Sequence, residues 1–183
     1  NMKDSELNVL FKKFGNILVN IFILATELDK SVQMLHDKHV VKMVLETTQL
    51  LSSVHHILDS PADKSKIYKV THKNHPCAVW ARHSNLTYNW LVEYGLAICA
   101  EYTHRFDKIH KSQAVIEYMK EVDTSALWTT TKDTWAEHPK CMPDKYKVDC
   151  PVQSYINYYI AEKLVSFKYT NRECPKWNEF ISI

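Results

Sequence analysis

The sequence predicts a mainly α protein: a single compact helical domain built around one long central helix, with a short extended or strand segment near its start. Two observations lead there. The 183 residues are 45% hydrophobic, enough to bury a core within the usual size of one domain. There are only two glycines and six prolines, whereas hairpins and barrels need turn glycines in number.

Taken in order, residues 3 to 16 form an amphipathic stretch ending at Gly15-Asn16, which defines an N-terminal extension helix (1–18) ahead of one helical domain (19–183). Leu18 to Ala25 is an apolar run that periodicity alone cannot assign to a buried strand or to the lead-in of the next helix, and we assign it as a short extended segment. Asp29 caps the pattern Lys30 to Leu58, the longest helix, which stops at Asp59-Ser60-Pro61. A polar loop covers 61–75. His75-Pro76 opens a second helix that runs to about Phe106, with proline in its first turn. Ser112 to Val122 is a shorter helix. The loop that follows reaches Cys150, and its tryptophans argue against disorder. Asp149 caps a last helix from Pro151 to about Phe167, and Pro175-Lys176-Trp177 forms a short closing segment. There is no internal repeat.

Composition narrows the function classes. A net charge of +2 gives no global field for nucleic acid, so an anionic partner must be held by a local patch. No apolar run approaches the roughly 20 residues of a spanning helix, and no signal-peptide layout opens the chain. A soluble, intracellular protein without membrane contact is expected. The five cysteines are odd in number and contain no C-x-x-C pair, so they read as reduced thiols.

On a helical wheel, Lys38, His39, Lys42, Glu46, Gln49, Ser53 and His56 fall within a sector of roughly 100° on an otherwise apolar helix. Such a stripe lines a cleft, since unpaired buried charge is costly; the plainer reading is a Lys42–Glu46 pair on a solvated face. The charged groups of the stripe, Lys38, His39, Lys42 and Glu46, are the candidate catalytic residues, presented from a rigid element. The pair His36-Asp37 lacks the upstream histidine that a metal phosphohydrolase needs. His36 and His39 could join His72 or His75 around an ion, but no metal and no cofactor is assigned.

Thr71 to Pro76, with Lys73, Asn74 and His75, places donors before a helix N-terminus, which suits a phosphate as well as it suits simple capping. Arg82 could face a nucleic-acid backbone. The run from His104 to Ser112, with Arg105, Lys108 and Lys111, is a basic patch with one aromatic, a pattern shared by backbone-binding surfaces and solvated loops.

Three stretches carry a family resemblance: Asp37 to Lys42 with Glu46 and Gln49-Leu50, Asn74-His75-Pro76-Cys77-Ala78-Val79-Trp80, and Tyr94 to Tyr102. Together they resemble the pyrimidine-dimer DNA glycosylase (endonuclease V) family of phages and bacteria, over residues 20 to 112. The resemblance implies a compact helical fold and duplex DNA as partner. It also implies base removal with lyase activity, in which an amine attacks the sugar C1′ while a carboxylate assists, and for a viral protein it implies the host cytoplasm. In the best-known phage member the amine is the chain's own N-terminus and the carboxylate lies on the first long helix. Here residues 1–18 precede Asn20-Ile21-Phe22. Aligning Glu27-Leu28 places His39 at the family glutamate, with Lys38 and Lys42 at its flanking arginines, so the resemblance implies Lys42 or Lys38 as an imine-forming amine with Glu46 or His39 as its acid/base partner. The competing expectations are a phage-type enzyme modifying DNA bases or nucleotides in the same cleft, and a DNA-binding module without catalysis.

Overall fold

The computed structural model describes residues 20–129, 133–164 and 167–181. The extension helix expected over 1–18 lies outside them. Among the described residues the protein is mainly α, 55% helical, with no strand. Helices α1 (Leu28–Gln33), α2 (Asp37–Ile57), α3 (Pro76–Ala81), α4 (Asn85–Phe106), α5 (Gln113–Glu121) and α6 (Pro151–Tyr158) follow one another, and α6 continues as a single π turn, Tyr159–Lys163. Short 3-10 turns sit at Lys64–Lys66, Asp144–Tyr146 and Trp177–Phe180.

The apolar run at the start is extended and buried from Asn20 to Leu24, but it pairs with no strand. Side chains satisfy its backbone instead, as buried polar groups require. The Tyr94 hydroxyl donates to the Phe22 carbonyl at 2.7 Å, and Ser31 Oγ accepts from the Leu24 N–H at 2.9 Å.

The predicted Lys30–Leu58 helix is two helices. His36 leaves the helical region with φ −71° and ψ 163°, and its Nδ1 accepts from the His39 N–H at the start of α2. The chain is held open there from outside: Tyr159 Oη accepts from the His36 N–H at 2.8 Å, and the Asp37 N–H donates to the Lys168 carbonyl at 2.8 Å. The second predicted helix also divides. Ser84 and Thr87 form a capping box that starts α4 afresh, and α4 ends at Phe106 with Asp107 in the left-handed region, φ 53°. Glu27 and Cys150, not Asp29 and Asp149, occupy the N-cap positions of α1 and α6.

The core forms where α2 packs along α4, with α3 and α5 against α2 and α1 against α4. Gly95 permits the closest approach, because a Cβ there would lie 3.0 Å from Ile116 Cδ1 of α5 and 3.1 Å from Thr47 Cγ2 of α2. The late loop is anchored by its aromatics. The Trp128 and Trp80 indoles donate to the Arg82 and Ala136 carbonyls, and Trp80, Trp90, Trp135 and His138 pack edge to face.

Residues 168–172 strap across α1, α2 and α4. Thr170 donates its N–H and hydroxyl to the Asp37 carboxylate, Asn171 Nδ2 donates to the His104 carbonyl, and Arg172 makes two hydrogen bonds to Glu101.

Candidate active site

The polar stripe of α2 resolves into three kinds of residue. Lys38 and Lys42 are exposed. His39 and Glu46 turn inward. Ser53 and His56 hold the 61–75 loop rather than a cleft: Ser53 Oγ accepts from the Thr71 N–H at 3.1 Å, and His56 Nε2 lies 2.9 Å from the Tyr68 carbonyl. The flank of α2 is also less buried than the wheel implied, since Val41 and Leu45 are exposed beside the lysines.

Glu46 is 6% exposed, and its Oε2 has no hydrogen-bond partner among the described residues. Lys42 Nζ lies 3.5 Å from Oε1. Burial pushes the carboxyl up to about 7, against the pull of Lys42 and of the Asn20 backbone N–H. A carboxyl poised near neutrality can give or take a proton at working pH. The half-buried Lys163, on the π turn, sits with its Nζ 4.8 Å from the Tyr158 ring centroid and within electrostatic reach of Glu46. Burial lowers its ammonium from the usual lysine value, while Glu162 and Glu46 oppose the shift, which favours the neutral, nucleophilic amine. Sequence reading missed Lys163, because nothing local marks a residue that a π turn re-aims; such turns often sit at functional sites.

His39 stacks between Phe22 (centroids 4.6 Å) and His36 (4.1 Å). Burial, then the neighbouring His36, Lys163 and Lys42, hold its imidazole far below the ordinary value, so it is neutral at physiological pH. Its ring is enclosed by Phe22, His36 and Tyr159, and the carboxyl on this side of α2 is that of Glu46. Seven residues are close to two full turns, so Glu46 returns to the same face about 10 Å further along.

The structure scatters the remaining candidates. Gln49 and Lys111 line a groove with Leu45, Tyr68, Lys69 and Thr71, while Lys73, Asn74 and Lys108 are exposed. His75 is buried and its Nδ1 accepts from the Cys77 N–H, so the plain capping alternative describes this six-residue helix better than a phosphate site. Arg82 donates to the Lys73 carbonyl at 2.8 Å and fixes that loop. Arg105 is a correction. Its side chain is 0% exposed and bonds Glu101 at 2.9 Å and Asp37 at 3.2 Å, so it cannot meet a DNA backbone. Burial alone would raise the Glu101 carboxyl, but the hydrogen bonds from Arg172 and Arg105 outweigh it and hold the group below its usual value. His36 and His39 do not gather with His72 or His75; the one cluster of metal-ligating type among the described residues is His75, Cys77 and Cys141.

A helical domain carrying a buried carboxyl paired with one amine and within electrostatic reach of a second has the parts for amine-assisted chemistry. Comparison with known families is specific: the pyrimidine dimer DNA glycosylase family matches residues 19–121. The chain belongs to that family. No curated protein and no solved structure matches it. No described helix is long and apolar enough to cross a membrane.

Proposed function

We infer that this protein excises pyrimidine dimers from duplex DNA through an imine to the sugar, with Glu46 as its acid/base group. The observation carrying this reading is the Glu46 carboxyl itself: buried, raised to about 7, paired with Lys42 and within electrostatic reach of Lys163. The neutral amine attacks C1′, the base departs with the glycosidic electron pair, and the protonated Glu46 supplies the proton that the opening sugar needs. Lys163 suits the nucleophile's part because burial favours its neutral form, and Lys42 holds the carboxyl. Lys38, Lys73, Lys108 and Lys111 supply exposed positive charge for phosphates, with Asn74 and Gln49 as neutral contacts.

Ultraviolet-irradiated duplex is incubated with the protein and borohydride. A reduced covalent adduct is expected, lost in Glu46→Gln and mapped by peptide digestion to Lys163 or Lys42. Its rate should fall as pH rises through about 7, where Glu46 loses its proton. A second protein beginning at Asn20 places an α-amine beside Glu46, and an adduct confined to that shorter chain would assign the attack to the main-chain nitrogen. Salt-dependent duplex binding with neither adduct nor incision would instead support the non-catalytic module.

A further inference from the structure

His75, Cys77 and Cys141 meet from two places far apart in sequence, the start of α3 and the late loop. One ring nitrogen and two Sγ atoms lie within 4.8 Å of one another. The two sulfurs are 3.7 Å apart. That is far beyond the ~2.05 Å of a disulfide, and it matches the edge of about 3.8 Å that a tetrahedral ion with Zn–S bonds of ~2.3 Å requires.

The donors are held from several sides. His75 caps α3 and Cys77 lies in its first turn. Cys141 is fixed through its backbone, its N–H donating to Tyr155 Oη at 3.3 Å and its carbonyl accepting from Asn20 Nδ2 at 2.8 Å. Cys77 is fully buried and Cys141 half-buried. A pocket of about 350 Å³, lined by His75, Cys141, Met142 and Tyr158, opens beside them. Two thiolates and an imidazole are a soft donor set that suits zinc, and the thiolates neutralise the dication where unpaired charge would be costly.

We propose that His75, Cys77 and Cys141 form a zinc site with three protein ligands and an exchangeable fourth ligand, water or an anion, facing this pocket. Binding displaces the thiol protons of Cys77 and Cys141, so affinity rises with pH. If Nδ1 is the ligating nitrogen, His75 exchanges its capping bond to the Cys77 N–H for the metal bond. The proposal does not depend on the glycosylase reading, although the two clusters are neighbours: Asn20 bonds the Cys141 carbonyl through Nδ2 and the Glu46 carboxyl through its N–H.

The test uses the full chain under reducing conditions, titrated with Zn²⁺ and separately with Co²⁺. One equivalent of zinc per chain is expected, with a raised melting temperature. Cobalt should give a sulfur-to-metal charge-transfer band and the intense visible bands of a tetrahedral ion. Cys141→Ser, checked for folding by circular dichroism, should lose the cobalt band and bind zinc at least ~100-fold more weakly. Cys150→Ser, exposed and outside the cluster, should match the parent. Substoichiometric zinc, no charge-transfer band, or parent-like affinity in Cys141→Ser would overturn the proposal. So would a reduced protein that binds no metal yet forms a Cys77–Cys141 disulfide in air.

Discussion

Burying Glu46 stabilises the fold only while its carboxyl is neutral. Its ionisation moves from 4.5 to about 7. The stabilising contribution is therefore complete below about 4.5 and is lost as pH rises through about 7, an effect on the order of 3 kcal/mol. Glu46→Gln keeps the shape and removes the charge. Its melting temperature should exceed the parent's by several degrees near pH ~8 and differ little near pH ~5; an offset that ignores pH would contradict the burial argument. This gain accompanies the expected loss of the covalent adduct, the usual opposition of stability and activity. Lys42 and Glu46 were legible in the sequence because i, i+4 spacing on one helix fixes their proximity. Arg105 was misread as part of a basic patch, although Glu101 four residues earlier was a local sign of an ion pair. Lys163 and the Cys77–Cys141 contact had no local sign at all, since only tertiary packing brings them in.

Helix types and most of their ends follow from periodicity and from the scarcity of glycine, so α5 and the end of α4 stand within a residue or so of expectation. The misplaced breaks have identifiable causes. Ser84-x-x-Thr87 is a capping signal that the apolar pattern around it concealed. The interruption at His36 is imposed by Tyr159 and Lys168, more than 120 residues away. Gly95 lies inside α4, where propensity would favour alanine, yet Ile116 and Thr47 leave little room for a side chain. Gly95→Val should cost about 1–3 kcal/mol in denaturant unfolding through overpacking and a shift of α5. An unchanged midpoint would mean that the helices separate freely there.

Across the whole molecule, buried histidines set the response to acid. His36, His55 and His138 are each lowered from 6.5 to about 4, chiefly by burial. A depressed imidazole contributes stability above about 6.5, and that stability is lost as pH falls through about 4. Three such groups outweigh the opposite trend of Glu46, so the urea midpoint should drop steeply between pH ~6 and ~4. A flat profile over that range would show that the rings take up protons without opening the fold. The core composition was readable from the sequence, but this acid sensitivity was not, because the ten histidines look alike until burial separates them.

The strap over Asp37 and Glu101 also bears on how the chain is made. Thr170 reaches Asp37 across 133 positions, and Arg172 reaches Glu101 across 71. A ribosome delivers α1 through α5 well before these partners, leaving Arg105 between two carboxylates that lack their remaining ligands. Until those partners emerge, Arg105 ties α1, α2 and α4 together there, through the Gln33 carbonyl, Asp37 and Glu101, and the charged centre closes when residues 168–172 arrive.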